Sequence, residues 1–141
     1  MTNRSLQYIV KDQDPLTRGP EASLQMACQD MWTRRVDLNI CEMLGNGYRF
    51  GEALKFFEKR IPVAPEASPG LKMIGAKRLQ WLNDQMADGR DYLCGQRFTL
   101  ADILLYCWVD FASQVGQPLD PANTNVAAWL KRVGERPSAK A

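Results

Sequence analysis

The stretch Tyr92-Leu-Cys-Gly-Gln-Arg-Phe-Thr-Leu-Ala-Asp-Ile-Leu-Leu-Tyr-Cys-Trp-Val-Asp-Phe111 contains the strongest helix signal in the chain. Apolar side chains recur in its second half and just beyond, at Leu100, Ile103, Leu104, Cys107, Trp108, Phe111 and Val115. Steps of three and four residues place them on one broad side of an α-helix. Because this side is rich in large residues, we expect the helix to lie inside the domain with other helices packed around it.

The start of this helix carries three signals that agree. Thr99 is a good N-cap, because its hydroxyl can accept a bond from an amide of the first turn. Asp102, three residues on, can reach back to the Thr99 amide and complete a capping box, and its charge suits the positive end of the helix dipole. Phe98 and Ile103 stand at the two positions of a hydrophobic staple. We therefore predict that the helix begins after Thr99.

The run from Tyr92 to Ile103, Tyr-Leu-x-Gly-x-Arg-Phe-Thr-Leu-Ala-Asp-Ile, resembles the buried-helix signature of the all-helical C-terminal domain of cytosolic glutathione transferases. Met31-Trp-Thr-Arg-Arg-Val-Asp-Leu-Asn39 is similar to the long first helix of that domain in bacterial members, and Trp129–Ser138 to its last helix and tail. The resemblance implies an all-α helical bundle of this type, whose central buried helix starts at Thr99. No segment shows sustained period-two alternation, so strands are not expected.

The resemblance also implies a domain division. Residues 1–14 are similar to the remnant last helix and linker at the end of a thioredoxin-like domain, with Tyr8-Ile9 as its closing tail. Asp12-Gln-Asp-Pro15 and Arg18-Gly-Pro20 break the helix there. Residues 15–141 form the helical domain. On this interpretation the remainder of the thioredoxin-like domain is missing from the chain.

The pattern predicts three further long helices. The first covers Glu21 to about Leu44, with Cys28, Trp32, Val36, Ile40 and either Met43 or Leu44 on one side, and Gly45-Asn-Gly47 weakens or kinks it. Another covers about Pro69 to Ala87, with Leu71, Ile74, Leu79, Leu82 and Met86 inward, and ends at Gly89. In the last, capped by Asn123 or Asn125, Val126, Trp129, Leu130 and Val133 face inward.

Composition excludes several classes of function. The net charge is +2 and basic residues form no long run, so neither nucleic acid nor an anionic membrane is indicated as a partner. No apolar run approaches the roughly 18 residues that a membrane span needs, and we expect a cytoplasmic protein. The chain has no histidine and no Cys-x-x-Cys pair among its four cysteines, so we expect no metal site and no Ser-His-Asp catalysis. Cys28, Cys41 and Cys107 are interpreted as small core residues.

The resemblance implies a hydrophobic-substrate pocket on the first helix and its kink, with Met31, Arg34, Arg35, Leu38 and Tyr48 as candidates. Thioether, aliphatic and aromatic groups accept apolar electrophiles, and a guanidinium can hold a carboxylate. The alternative is structural: Met31 and Leu38 are core residues, and the arginines form surface pairs with Asp30 or Asp37. Asp102 and Thr99 are explained fully by the cap and need no catalytic role.

The complete family enzyme conjugates glutathione, its co-substrate, to hydrophobic electrophiles. The resemblance implies that this chain supplies the substrate-binding half and lacks the thiol-activating half. We therefore expect the isolated chain to be inactive, and the protein to be a glutathione transferase only if a thioredoxin-like domain completes it. We expect no catalytic residue and no tightly bound cofactor here. The alternative is a non-catalytic module that binds a protein or a hydrophobic ligand, or that dimerises. Its partners are then a thioredoxin-like domain, a second copy of the chain, or a hydrophobic small molecule.

Overall fold

A computed structural model describes the backbone of residues 15–139 and the side chains of residues 21–139. The elements are α1 (Pro15–Val36), a π-helical segment (Asp37–Cys41), α2 (Glu42–Phe50), α3 (Leu54–Phe57), α4 (Ser68–Gln85), α5 (Leu100–Gln114) and α6 (Thr124–Gly134), with 3-10 turns at Pro65–Ala67, Met86–Asp88 and Pro137–Ala139. The described residues contain no strand beyond isolated bridges in the 92–97 loop, so the all-α prediction is confirmed. Residues 1–14, including Tyr8-Ile9, lie outside the described residues.

The first helix is longer than its sequence pattern predicts. It begins at Pro15 rather than Glu21 and continues through Gly45–Gly47 to Phe50, with the π-helical segment in between. The glycines do not break it, because they allow close helix contacts: a Cβ built on Gly45 would lie 2.7 Å from the Trp108 ring. The predicted inward residues Trp32, Val36, Ile40 and Leu44 are buried and Cys28 is half-buried. The helix is therefore continuous, and its wider π turn lies at 37–41.

A side chain of helix α4, Asn83, caps the N-terminus of helix α6. The Asn83 side-chain oxygen on α4 accepts hydrogen bonds from the backbone amides of Asn125 (2.8 Å) and Val126 (3.3 Å). The Asn125 side chain in turn donates to the Asn83 carbonyl at 2.9 Å. Asn123 occupies the N-cap position but makes no side-chain cap bond. The first amides of α6 are thus satisfied by another helix, not by the predicted local asparagine.

The inward sides of α4 and α6 are largely as predicted. Leu79, Leu82 and Met86 are buried from the first of these helices, whereas Leu71 is half-buried and Ile74 is exposed. Val126, Trp129 and Val133 are buried from the second, with Leu130 half-buried. Gly89 follows the 3-10 turn in the left-handed conformation, with φ of 81°, as expected for a helix C-terminus.

Helix α5 is central, but its most buried side is not the large-residue stripe in the sequence. The residues that reach the core are Ala101, Asp102, Leu105, Val109 and Ala112. Leu100 and Ile103 are 56% and 46% exposed, and Cys107 is exposed too. Small residues on the inner side allow α1 to approach closely, while Leu104, Trp108 and Phe111 lie along the flank. Apolar spacing located the helix correctly but could not identify which apolar side faces inward.

Candidate functional site

Four of the five predicted substrate residues lie together on the outer side of the first helix. Successive members of this group are three, one and three residues apart, which places them on one side of the helix. They are Met31, Arg34, Arg35 and Leu38. All four are exposed, and Met31 and Leu38 retain 41% and 50% of their surface. The alternative prediction that Met31 and Leu38 are core residues is therefore wrong. Exposed apolar groups beside two guanidinium groups form a surface that can accept an apolar molecule bearing a negative charge.

The two arginines of this surface are only loosely held. Arg34 approaches Asp37 at 4.0 Å, with the Arg34 side chain largely in solvent and that of Asp37 partly so, so the pair contributes little to stability. The Arg35 guanidinium lies 5.4 Å from the centre of the buried Trp32 ring, a cation–π distance. Because neither is bound tightly, either guanidinium can reorient toward a bound carboxylate.

Tyr48 does not belong to this surface. It lies ten residues beyond Leu38, about 15 Å further along a helix at its usual rise. Its ring packs edge-on against Phe111, with the ring centres 5.2 Å apart, and Phe111 contacts Trp108 in the same manner at 5.9 Å. Cys107, Trp108 and Phe111 line a small cavity of about 200 Å³ beside it. Tyr48 therefore joins an aromatic cluster on the flank of α5.

The Asp102 carboxylate accepts hydrogen bonds from three different residues. It is fully buried. One oxygen accepts bonds from the Leu93 amide and the Trp129 indole N–H, each at 2.9 Å. The other accepts from the Thr99 amide at 2.9 Å and the Thr99 hydroxyl at 3.0 Å. Charge-assisted bonds to a carboxylate are strong, so Asp102 joins the 92–97 loop, the start of α5 and helix α6.

The reciprocal Thr99–Asp102 geometry is that of a capping box, with Thr99 in an extended conformation. Trp129 was expected only to fill the core. No local spacing links it to Asp102, since 27 residues separate them. A buried tryptophan generally finds a partner for its N–H, and that is the one signal that could have suggested the bond.

Phe98 and Ile103 line the same small cavity of about 170 Å³, together with Tyr106, Cys107, Val133, Ser138 and Ala139. The Arg136 guanidinium lies 3.7 Å from the centre of the Phe98 ring. The staple between Phe98 and Ile103 stays a prediction, since nearly half of the Ile103 surface is exposed.

The cysteines differ in their environments. Burial, reinforced by the nearby Asp37, raises the pKa of Cys41 to about 12. Cys107 is exposed, so the prediction of a core role for it is wrong, whereas Cys41 is buried. Within residues 15–139, no three or more potential ligands are grouped to hold a metal ion. None of the helices described there is long and apolar enough to cross a membrane.

An all-helical domain built around a capped central helix is the class that this architecture defines. Residues 75–132 match the family model described as the glutathione S-transferase C-terminal domain. That segment contains most of α4, all of α5 and most of α6, including the Thr99–Asp102 cap. The matched segment of the helical domain is thus similar to the glutathione S-transferase C-terminal domain.

A curated relative agrees with this assignment. The chain is 34% identical over 80 residues to glutathione S-transferase GstA of Escherichia coli O157:H7. The aligned part is 56% of this chain and 39% of the relative, so the match spans well under half of the relative's length. No solved structure matched the chain significantly.

Proposed function

We propose that this domain supplies the hydrophobic-substrate half of a glutathione transferase-like protein, which when complete conjugates glutathione to hydrophobic electrophiles. The observation that carries the proposal is the exposed surface of Met31, Arg34, Arg35 and Leu38, where apolar and cationic groups adjoin. Such a surface offers contacts to an apolar electrophile and to a carboxylate of glutathione. The name of the Escherichia coli relative, a glutathione S-transferase, supports the same activity.

The thiol-activating half belongs, in this proposal, to a thioredoxin-like domain and not to the helical residues. Burial holds the pKa of Cys41 near 12 and that of Cys94 near 11, so both are poor nucleophiles at neutral pH. The chain contains no histidine to act as a base. Glutathione is then the co-substrate of the complete protein, in the cytoplasm, and the isolated helical domain is inactive.

The outer side of α5 is the surface that we assign to that second domain. Leu100, Ile103 and Cys107 are exposed on successive turns. Side chains of this kind contribute stability when another domain covers them, at roughly 25 cal/mol per Å². This side lies next to the cap, so a covering domain would contact the part of the chain that Asp102 makes rigid.

Calorimetric titration of the purified chain tests the substrate half directly. We expect no binding of free glutathione below millimolar concentration, and weak binding of S-hexylglutathione, whose alkyl group mimics an electrophile. Replacing both Met31 and Leu38 by serine should abolish the hexyl-dependent binding. The matched control is Met73→Ser, which changes another exposed methionine on α4. Sub-millimolar binding of glutathione itself would contradict the proposal.

A second candidate function is self-association, and one observation favours it. Leu24, Met31 and Leu38 recur every seven residues on the outer side of the first helix, with exposed fractions of 72%, 41% and 50%. A heptad of exposed apolar residues is typical of a helix that packs against another copy. If the chain self-associates in this way, light scattering after size-exclusion chromatography should give the mass of a dimer. Leu24→Lys should reduce the mass to that of a monomer, and the control Met73→Lys should leave it unchanged. A monomer mass at all protein concentrations would exclude self-association.

A further inference from the structure

A small cavity lies between helix α4 and the loop that leads into α6. The residues that line it come from α4 and from positions 118–123, so it shares no residue with the candidate substrate surface on α1. Its volume is about 240 Å³. At roughly 30 Å³ for each water molecule, this is the space of about eight waters. The cavity therefore suits a small molecule.

Helix α4 forms one wall of this cavity. Its outward lining residues are three, one and three positions apart, which places them on one side of the helix. They are Met73, Ala76, Lys77 and Gln80. Asn83, three residues further along, holds α4 against the start of α6, because its side-chain oxygen and its carbonyl both accept bonds from Asn125, at 2.8 and 2.9 Å. The wall is thus anchored close to the cavity.

The opposite wall is a tight turn at the beginning of α6. The backbone amide of Asn123 donates to the Asp120 carbonyl at 2.9 Å. Within the same turn, Oδ1 of Asp120 accepts from the Ala122 amide at 2.8 Å. The second oxygen of Asp120 accepts no bond from another described residue, so it is available to a cationic group of a ligand.

The Asn123 side chain is the feature that points to a polar ligand. Asn123 retains only 5% of its surface and lines the cavity. It occupies the N-cap position of α6 without a side-chain cap bond, and no hydrogen bond joins its side chain to another described residue. A buried amide without partners costs free energy. A ligand that bonds to this amide is therefore bound with an energetic advantage.

The start of α6 determines which group of a ligand lies beside Asn123. The backbone amides of Asn125 and Val126 already donate to Asn83, so side chains and not these amides must bind the ligand. The positive end of the helix dipole still favours a negative group at this position. The Asn123 side chain can donate a hydrogen bond to such a group, which indicates a carboxylate.

The two charged side chains on the cavity walls have opposite signs. Lys77 and Asp120 are both exposed, and neither forms an ion pair with another described residue. A simple carboxylate pairs with Lys77 but is repelled by Asp120, and a simple amine has the reverse difficulty. A ligand that carries both charges can pair with each of them.

We propose that this cavity binds a free α-amino acid with a small apolar side chain, such as leucine. The ligand carboxylate accepts bonds from the Lys77 ammonium group and the Asn123 amide. The ligand ammonium group donates to the free oxygen of Asp120. The apolar side chain lies against Met73 and Pro118, which line the same cavity. The inference does not rest on the transferase proposal, because it uses other helices and another ligand.

Nuclear magnetic resonance on the unaltered, isotope-labelled chain tests the ligand class. On titration with leucine we expect saturable shifts of backbone amides within residues 73–80 and 118–125. Isocaproate lacks the ammonium group of leucine and isopentylamine lacks its carboxylate. Each should bind at least about tenfold more weakly than leucine, because one charge-assisted bond is lost. Equal binding of either compound, shifts confined to α1, or no saturable shift would overturn the proposal.

Two exposed substitutions test the assigned roles without disturbing the core. Lys77→Met removes the cation, and Asp120→Asn removes the negative charge but keeps an oxygen for the Ala122 amide. Each should weaken leucine binding about tenfold. Lys77→Met should leave the weak binding of isopentylamine unchanged, and Asp120→Asn that of isocaproate, a division that a purely structural effect would not produce.

The matched controls are Arg78→Met and Asp84→Asn, which change exposed charges on α4 that do not line the cavity. Both should bind leucine as the unaltered chain does. If the controls weaken binding as much as Lys77→Met and Asp120→Asn, the effect comes from the overall charge, and the assignment of the site is wrong.

Discussion

The two sides of helix α5 perform different tasks, although both are apolar in sequence. The inner side carries small and medium residues around Asp102, whose carboxylate accepts four hydrogen bonds. The outer side carries Leu100, Ile103 and Cys107, which are exposed. The inner side is explained by the stability of the domain alone, whereas the outer side is the surface that we propose a second domain covers.

The largest expected effect is on the inner side. Asp102→Ala leaves two backbone amides, the Thr99 hydroxyl and the Trp129 indole N–H without their acceptor. Each buried, unsatisfied donor costs about 1–3 kcal/mol, so we expect a loss of at least about 3 kcal/mol in the free energy of unfolding. Urea denaturation followed by circular dichroism measures it. Asp110→Ala is the control, since Asp110 is exposed on the same helix, and it should change stability by less than about 0.5 kcal/mol.

A second expected effect concerns the close contact between α2 and the flank of α5. In Gly45→Ala the added methyl group would lie 2.7 Å from the Trp108 ring, so the helices must separate at a cost of about 1–3 kcal/mol. Gly70→Ala is the matched control on α4, because nothing lies within 4 Å of its Cβ position. It should stabilise the chain by up to about 1 kcal/mol. Thermal unfolding should shift in opposite directions for the two variants, and a shift in the same direction would refute the packing argument.

A smaller effect is expected for Trp129→Phe, which keeps a buried ring but removes the indole N–H donor to Asp102. We predict a loss of about 1–2 kcal/mol, because one charge-assisted hydrogen bond and some packing disappear. In a double-mutant cycle with Asp102→Asn, the two losses should not add, since both residues take part in the same bond. Additive losses would mean that the bond contributes nothing.

The smallest effect on stability is predicted for the outer side. Replacing Leu100 and Ile103 together by serine should change the free energy of unfolding of the isolated chain by less than about 0.5 kcal/mol per residue. The same change should lower binding of the fluorescent probe ANS, which reports exposed apolar surface. If the double variant unfolds much more readily, the outer side contributes to the core and the comparison between the two sides fails.

Local signals predicted more of this molecule than long-range ones. The helix starting after Thr99 and the inward residues Val36, Leu82 and Val126 followed from spacing and capping, which act within a few residues. The bonds from Trp129 to Asp102 and from Asn83 to Asn125 join distant segments, and no periodicity encodes them. The role predicted for Gly45 was also wrong: it was expected to weaken or kink the helix, but it allows a close contact with Trp108, which is distant in the sequence.

The residues of the candidate site were taken from the family resemblance and not from spacing. The structure places Met31, Arg34, Arg35 and Leu38 on one exposed side of the first helix. Tyr48 came from the family resemblance, and it lies in an aromatic cluster with Phe111 instead. That Cys28 and Cys94 line one cavity could not be predicted, because the two residues are distant in the sequence.

The most direct test of the account is a transferase assay on the purified chain alone, with glutathione and 1-chloro-2,4-dinitrobenzene. Because we assign the electrophile half to the helical domain and thiol activation to a separate domain, the rate should equal that of the uncatalysed reaction at every protein concentration. A rate that rises in proportion to the concentration of the chain, and that falls in Met31→Ser with Leu38→Ser, would contradict the account. It would mean that the helical domain activates glutathione by itself.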